Sequence, residues 1–205
     1  PVIFPSGVEG RIYVANDKQP NLLYVNRRDG TFADEATERG AALSGLGEPE
    51  ASMGIAVGDV NADSVFDLFV TNLSGETSTL YLSSMRGTFE DRSASSGLGA
   101  ATLEHTSWGC GFVDLDHDGD LDLPVMSGRI ARGPASPEAD LGPFWNDYAE
   151  PGQLFINEGG GKFADASRRG GRLPLPVDVN RALAFGDLDG DGDVDLVASG
   201  VSNRL

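Results

Sequence analysis

The sequence predicts an all-β fold built from repeated four-stranded units. Two motifs recur in alternation along the 205 residues, and 28 glycines supply frequent turns between short apolar runs. Almost no segment of ten or more residues has apolar side chains at the 3.6-residue period of a helix. Repeated units of four antiparallel strands bury both of their faces by stacking on one another, as the blades of a β-propeller do. We therefore predict β-propeller blades of four antiparallel strands.

The first recurring motif is a strand, a glycine-containing turn and a terminal phenylalanine. Its three copies occupy residues 21–32, 79–89 and 153–163, and a short polar tail follows each copy. The tails are Ala33-Asp34, Glu90-Asp91 and Ala164-Asp165. Three similar copies indicate three units that share one architecture.

The second recurring motif is an acidic loop followed by an apolar run. Its copies begin at Asp59, Asp114 and Asp187, so successive copies lie 55 and 73 residues apart. The longer interval predicts an insertion of about 18 residues, which we place at about residues 129–151 because that stretch contains several prolines and aromatic residues. We predict that each acidic loop joins the first two strands of its unit.

Strand positions are clearest in the second unit. Its four strands are predicted at about residues 53–58, 66–71, 79–82 and 87–92. The run from Phe66 to Thr71 is almost continuously apolar or β-branched, which is typical of a strand covered on both faces.

The whole chain, residues 1–205, is predicted to be one β-propeller segment. Its units are expected at about residues 1–45 (partial), 46–99, 100–172 and 173–205 (partial). Residues 11–16 are interpreted as a second strand, so we expect the first unit to lack its first strand and its acidic loop. Closed propellers have about four to eight blades. The prediction is therefore a partial propeller, which further blades or a second copy of the chain complete into a ring.

The composition excludes several classes of function. With 32 acidic and 15 basic residues, the net charge of −17 excludes electrostatic attraction to nucleic acid or to an anionic membrane. No run of 18 uninterrupted apolar residues is present, so no membrane-spanning helix is predicted. The single cysteine excludes an intrachain disulfide.

Alternating aspartates in the acidic loops predict an oxygen-rich cation site. In an extended segment, carboxylates at alternate positions leave on one side, and Gly119 in the second loop supplies a turn with positive φ. A set of about six oxygen ligands suits Ca²⁺ better than Zn²⁺ or Mg²⁺. The candidate ligands, with the fourth of each loop acting through its carbonyl, are Asp59, Asn61, Asp63, Val65 and Asp67; Asp114, Asp116, Asp118, Asp120 and Asp122; and Asp187, Asp189, Asp191, Asp193 and Asp195.

The first of these three predicted calcium sites is expected to be the weakest. Asn61 removes one ligand charge, and Ser64 replaces the glycine of the turn. A non-glycine residue in a left-handed conformation costs about 1–2 kcal/mol. An EF-hand is excluded, because its bidentate glutamate at position twelve is replaced by Val70, Val125 or Ala198 within strand-like runs.

Three segments that precede the acidic loops carry a family resemblance. Residues 54–59, 106–114 and 181–187, each followed by its loop and an apolar strand, resemble the FG-GAP or VCBS repeats of integrin-α-type propellers. The motif Leu-Phe-Ile-Asn-Glu-Gly-Gly-Gly-Lys-Phe-Ala-Asp at residues 154–165 is similar to the strand–turn–strand signature of the ASPIC/UnbV, or cartilage acidic protein-like, group. The resemblance implies a calcium-binding β-propeller, secreted or on the cell surface, that is used in adhesion or recognition, and it identifies no ligand. We predict that the module recognises a protein or a carbohydrate. Calcium would then be structural.

The insertion contains the candidate ligand-binding residues outside the acidic loops. Long loops on a rigid scaffold often carry binding sites, and exposed aromatic side chains suit sugar or peptide ligands. The candidates are Phe144, Trp145, Asn146, Asp147 and Tyr148. The alternative is that these aromatic residues only anchor the insertion onto its own blade.

The remaining side chains give little support to an enzyme. Trp108 is expected to pack or to line the central channel, Cys110 to be a small buried strand residue, and His117 to point outward from its loop. No nucleophile elbow, phosphate-binding loop or zinc-binding set is present, and no catalytic residue is predicted. Two alternatives remain open: a polysaccharide-active enzyme on a calcium-stabilised propeller, with His105 and Tyr148 as candidates, and a structural, self-assembling segment.

Overall fold

A computed structural model describes residues 1–6, 9–167, 173 and 175–201 of the chain. In this part of the chain, three antiparallel sheets of four strands follow one another and precede a two-stranded sheet. Each four-stranded sheet is ordered along the chain, so that neighbouring strands in sequence are also neighbours in space. The predicted all-β class and the predicted four-stranded blades are confirmed.

Short strands and short linker helices make up the sheets and their connections. The first sheet consists of β1 (Val2–Ser6), β2 (Glu9–Val14), β3 (Leu22–Asn26) and β4 (Phe32–Asp34), and the helix α1 (Ala36–Arg39) follows it. The second consists of β5 (Ile55–Gly58), β6 (Asp67–Val70), β7 (Thr79–Ser83) and β8 (Phe89–Asp91), followed by α2 (Ser93–Ser96) and α3 (Leu98–Thr102). The third consists of β9 (Ser107–Cys110), β10 (Leu123–Ser127), β12 (Gln153–Asn157) and β13 (Phe163–Asp165). The two-stranded last sheet pairs β15 (Asn180–Gly186) with β16 (Asp195–Gly200), and a separate short pair joins β11 (Glu150–Pro151) to β14 (Val177–Asp178).

The first sheet corrects one expectation. β1 pairs with β2 in an antiparallel register that runs from Val2 opposite Tyr13 to Ser6 opposite Glu9. The prediction that the first unit lacks its first strand is therefore wrong. Pro5, which interrupts the strand signal, lies opposite Gly10 on the edge strand of the sheet, where a residue without an N–H is tolerated.

Two apolar cores lie between successive sheets. The first core joins the first and second sheets, with Tyr13 and Leu23 packed in the same cluster as Leu68 and Tyr81. The second core joins the second and third sheets through Phe69, Phe112, Leu123, Phe155 and Phe163. The second sheet thus buries both of its faces, as a stacked blade must.

Glycines allow the first strands of successive sheets to approach closely. A Cβ atom at Gly54, just before β5, would collide with the backbone carbonyl of Trp108 in β9. A Cβ atom at Gly109 in β9 would collide with the backbone of Leu183 in β15. The repeat therefore needs glycine where the edges of neighbouring sheets meet.

The linker helices use glycine in a second way. α1 and α2 end at Gly40 and Gly97, whose φ angles are 78° and 95°. A Cβ atom at either glycine would collide with the carbonyl oxygen of Phe89 or Phe163, in the outermost strand of the next sheet. Both the positive φ and the close contact favour glycine at these two positions.

Candidate metal centres

The three acidic loops join the first two strands of the second, third and last sheets, β5 to β6, β9 to β10 and β15 to β16. This is the position predicted for them. Because the inter-strand hydrogen bonds hold both ends of each loop, the loop residues between them are confined to a tight curve.

The second loop gathers three carboxylates. Ligand atoms of Asp114, Asp116 and Asp122 all lie within 4.8 Å of one another. Asp114 Oδ2 accepts a hydrogen bond from the N–H of Gly119 at 3.0 Å, whereas its buried Oδ1 has no hydrogen-bond partner among the described residues. A buried carboxylate oxygen without a donor is costly unless a cation compensates it. The residues present therefore fit a cation. Gly119 has a φ of 94°, as its predicted role in the turn requires.

The third loop repeats this arrangement in a more exposed setting. Asp187, Asp189 and Asp195 hold ligand atoms within 4.8 Å of one another. The carboxylate of Asp187 accepts the N–H groups of Gly190 at 2.7 Å and Gly192 at 3.2 Å, which curl the loop around it. The arrangement matches that of the second loop, with less burial of its carboxylates.

The remaining aspartates of these two loops support the turns. Asp118 Oδ1 accepts the N–H of Asp120 at 2.9 Å, and Asp191 Oδ1 accepts the N–H of Asp193 at 2.9 Å. None of these four carboxylates belongs to the two groups of three that the described residues form. Their assignment as ligands stays a prediction.

The first loop is held by its own hydrogen bonds. Asp59 accepts the N–H groups of Asp63 at 3.0 Å and Ser64 at 2.7 Å, and Asn61 donates to Asp63 at 3.1 Å. Ala62 has a φ of 58°, and His117 at the same position of the second loop has a φ of 61°. Ser64, however, has a φ of 70° where the second loop has Gly119, so the first loop holds one more non-glycine residue in the left-handed region. This strain and the missing charge at Asn61 agree with a weaker site, which stays a prediction.

The last aspartate of the first and second loops has a structural role that the sequence analysis missed. Asp67 accepts the N–H groups of Val60 at 3.1 Å and Ser83 at 2.7 Å. Asp122 accepts the N–H groups of Leu115 at 3.0 Å and Asn157 at 2.9 Å. Each carboxylate therefore ties the start of its loop to the end of the third strand, β7 or β12.

Burial dominates the electrostatics of these two carboxylates. Both side chains are fully buried. Desolvation raises the pKa of Asp67 to about 6 and raises the pKa of Asp122, while the backbone N–H donors oppose the shift. Nearby loop aspartates raise both pKa values further, and a bound cation would counteract this repulsion.

The insertion places its aromatic residues against one another. Ring centroids of Phe144 and Trp145 lie 4.9 Å apart, those of Phe144 and Tyr148 5.6 Å, and those of Trp145 and Tyr148 6.0 Å. Asn146 accepts the N–H of Leu141 at 2.8 Å, and Asp147 lies 3.7 Å from the guanidinium of Arg132. The polar candidates are therefore engaged within the insertion, and Phe144, which is 53% exposed, offers the open aromatic surface.

Trp108, Cys110 and His117 occupy the surroundings expected for them. Trp108 donates its indole N–H to the carbonyl of Gly128 at 2.8 Å and packs between sheets. Cys110 is buried, and burial raises the pKa of its thiol to about 12. His117 is exposed, with Nε2 3.4 Å from Asp193 in the third loop, and His105 donates its backbone N–H to Thr102.

Stacked four-stranded sheets with an acidic loop between their first two strands define an FG-GAP type of repeat protein. The chain belongs to the FG-GAP-like repeat family, whose sequence profile matches residues 59–125 and 144–198. The family resemblance predicted from the sequence is confirmed. In the part of the chain that the structure describes, no helix has the length and apolar character needed to span a membrane.

The sequence of the chain is similar to cartilage acidic protein 1 from several vertebrates. The chain is 26% identical over 190 residues to cartilage acidic protein 1 of Homo sapiens, an alignment that covers 92% of this chain and 25% of that protein. It is 27% identical over 190 residues to cartilage acidic protein 1 of Xenopus tropicalis, covering 92% of this chain and 26% of that protein. The chain thus spans about a quarter of the length of these relatives.

Proposed function

We propose that this chain is a calcium-binding β-propeller module in which the metal is structural and the sheets support recognition of an extracellular ligand. The observation that carries the proposal is Asp114, whose buried Oδ1 has no hydrogen-bond partner among the described residues. Its carboxylate lies beside those of Asp116 and Asp122, and oxygen ligands in this number suit Ca²⁺. The third loop repeats the same set of carboxylates.

The residues of each loop would hold the ion and also tie the strands together. In the second loop, Asp114, Asp116 and Asp122 would supply carboxylate oxygens, with Asp118 and the carbonyl of Asp120 completing the set. When bound, the ion supplies positive charge that compensates the clustered carboxylates. Asp122 would then connect the ion to β12 through the N–H of Asn157. Metal binding and folding stability are therefore linked.

Recognition of a protein or carbohydrate is proposed for the insertion. Phe144 is exposed at the surface of the aromatic cluster, and Arg132 lies over its ring at 5.6 Å from the centroid. The relatives are named as acidic proteins of cartilage, and this chain shares the acidity with a net charge of −17. We extend to this chain a secreted or cell-surface location on that basis.

Completion of a ring by further sheets or by a second copy is also proposed. In the second sheet, Ala56 and Phe69 are buried against the third sheet. In the last sheet, Ala184 and Val197 hold the same repeat positions and are exposed. Light scattering coupled to size-exclusion chromatography tests the second copy, because a monodisperse monomer over a wide concentration range would exclude it.

Thermal unfolding with and without calcium tests the metal. We expect a higher melting temperature in about 1 mM Ca²⁺ than in chelator. The increase should correspond to about 3–4 kcal/mol in the free energy of unfolding, which is what a ligand at a few hundred times its Kd contributes. The variant Asp116→Asn with Asp189→Asn should lose most of that increment. Glu138→Gln, which removes an exposed carboxylate of the insertion, is the matched control and should retain it. An identical midpoint with and without Ca²⁺ would remove calcium from the proposal.

Binding assays test the recognition site. Surface-immobilised protein would be exposed to panels of neutral and acidic oligosaccharides and of matrix proteins, with Phe144→Ala as the variant. Saturable binding that Phe144→Ala weakens supports the proposal, whereas binding that Phe144→Ala leaves unchanged places the site elsewhere. Release of unsaturated oligosaccharides from an acidic polysaccharide would instead favour the enzymatic alternative.

A further inference from the structure

A continuous path of hydrogen bonds joins the first and second acidic loops across the boundary between two sheets. The N–H of Val60 donates to Asp67 at 3.1 Å, and the carbonyl of Val60 accepts from Asn157 Nδ2 at 2.9 Å. The N–H of Asn157 donates to Asp122 at 2.9 Å. The last aspartates of two different loops are therefore three hydrogen bonds apart.

Asn157 is the element that crosses the boundary. Its side-chain amide donates to the carbonyls of Val60 in the first loop and of Leu121, at 3.2 Å, in the second loop. Its Oδ1 accepts the N–H of Gly159 at 3.1 Å, so each polar atom of the side chain is engaged. Asn157 and Val60 are each 1% exposed, and water therefore does not compete for these bonds.

The second sheet provides a comparison within the same chain. Ser83 ends β7 as Asn157 ends β12, and the backbone of each donates to the last aspartate of its own loop. The hydroxyl of Ser83, however, has no hydrogen-bond partner among the described residues. The backbone hydrogen bond to the last aspartate is thus common to both sheets. The hydrogen bond to the loop of the neighbouring sheet is made only where the side chain is that of Asn157 and not that of Ser83.

We propose that Asn157 is a positioning residue that couples cation binding at the second loop to cation binding at the first. Occupation of the second loop holds Asp122, which fixes the end of β12 and the side-chain amide of Asn157. This amide in turn holds the peptide group that joins Val60 to Asn61, next to the candidate ligands Asp59 and Asn61. The weaker first loop is therefore already ordered when its ion binds, so that binding loses less conformational entropy. The coupling rests on the proposed calcium binding.

A double-mutant cycle measures the coupling by calorimetric titration with Ca²⁺. All variants carry Asp187→Asn and Asp189→Asn, which disable the third loop. The affinity of the first loop is then compared with the second loop intact and with the second loop disabled by Asp114→Asn and Asp116→Asn. The same comparison is made in the Asn157→Ser background. The long-range effect of the lost charges is common to both backgrounds and cancels in the cycle.

The expected result is a loss of coupling in the Asn157→Ser background. The quantity compared is the factor by which an intact second loop increases the Ca²⁺ affinity of the first loop. This factor should be about five times larger with Asn157 than with Asn157→Ser, as expected for one hydrogen bond of about 1 kcal/mol. Asn26→Ser is the matched control, because Asn26 ends β3 and its side-chain oxygen accepts the N–H of Arg28. It should leave the factor unchanged. Equal factors with Asn157 and with Asn157→Ser would overturn the coupling.

Hydrogen exchange gives a second test that leaves Asn157 intact. In a protein whose first loop is disabled by Asp59→Asn and Asp63→Asn, Ca²⁺ at the second loop should slow amide exchange in residues 59–67 several-fold. Unchanged exchange there, with protection of residues 114–122, would overturn the coupling while leaving calcium binding in place. Absence of any Ca²⁺ binding in the unmodified protein would instead overturn both the proposed function and the coupling.

Discussion

The guanidinium carbon of Arg181 lies 4.2 Å from the centroid of the Trp108 ring, so a cation–π contact joins the third sheet to the last sheet. The same guanidinium donates to the carbonyls of Gly128 at 3.0 Å and Arg129 at 3.1 Å. Trp108 also donates to Gly128. Two side chains from neighbouring sheets thus converge on one carbonyl at the end of β10.

Arg181→Ala should destabilise the chain by about 2–3 kcal/mol. The change removes a half-buried cation–π contact and charge-assisted hydrogen bonds to two carbonyls, of which that of Gly128 keeps Trp108 as a donor and that of Arg129 loses the Arg181 donor. Urea unfolding in calcium-containing buffer measures the loss. Arg132→Ala, which removes the contact of an exposed arginine with Phe144, is the matched control and should cost less than about 1 kcal/mol. Similar losses in both variants would contradict the prediction.

Gly54→Ala should destabilise the interface between the second and third sheets by about 1–3 kcal/mol. The added Cβ would collide with the carbonyl of Trp108 and crowd Thr71 Oγ1, which bridges the two sheets by donating to that carbonyl at 2.7 Å. Because the obstacle is backbone, the sheets must separate. Chemical denaturation measures the change against Gly10→Ala, where no atom lies within 4 Å of the added Cβ. If Gly54→Ala left the free energy of unfolding unchanged, the two sheets would have to move apart more easily than this geometry indicates.

Asp122→Ala and Asp116→Ala should differ when calcium is chelated. Asp122→Ala leaves the N–H groups of Leu115 and Asn157 without their acceptor, at about 1–3 kcal/mol for each buried group. Asp116→Ala removes a carboxylate from the loop cluster and should have little effect in chelator. Both variants should reduce the calcium-dependent rise in the melting temperature. Equal stability of the two variants in chelator would contradict the structural role of Asp122.

Glu50→Gln should increase stability more at pH 8 than at pH 5. Burial is the main cause that raises the Glu50 pKa from 4.5 to about 7, and Glu76 and Asp91 add repulsion. The protonated carboxyl therefore contributes its full stability below about pH 4.5, and this contribution is lost as the pH rises through 7. Asn72 Nδ2 and Thr79 Oγ1 both donate to Glu50 Oε2, at 2.6 and 2.8 Å, and the side-chain oxygen of a glutamine can accept both hydrogen bonds.

Melting curves in chelator at the two pH values measure the effect of Glu50→Gln. Chelator keeps metal binding by the acidic loops from adding its own pH dependence. The matched control is Glu90→Gln, because Glu90 is an exposed glutamate on β8, the outermost strand of the second sheet. If Glu50→Gln changed the melting temperature by the same amount at pH 5 and at pH 8, the raised pKa of Glu50 would be contradicted.

Local patterns in the sequence predicted the strands and the loop positions. The predicted strand at residues 66–71 is observed as β6 (Asp67–Val70), and the one at 79–82 as β7 (Thr79–Ser83). These elements are encoded by neighbouring residues, through apolar runs bounded by turns. β1 was missed because Pro5 interrupts its pattern and no acidic loop follows it.

The sequence patterns did not predict contacts between residues that lie far apart in the chain. The hydrogen bond between Asp122 and Asn157 spans 35 residues, and that between Asn157 and Val60 spans 97. No spacing rule predicts such contacts, because they depend on how the sheets stack. The helices α1, α2 and α3 were missed for a different reason, since four or five residues are too few to display a helical period.

The glycines that end α1 and α2 bear on how this chain could be recombined. Gly40 and Gly97 each belong to the segment after one sheet but lie against the outermost strand of the next. A sheet transplanted from a related protein would therefore need a host whose preceding helix also ends in glycine. The exchangeable module therefore begins at the helix that precedes its sheet, α1 for the second sheet and α2 for the third. Chimeras with junctions placed before that helix should fold where junctions at the first strand do not.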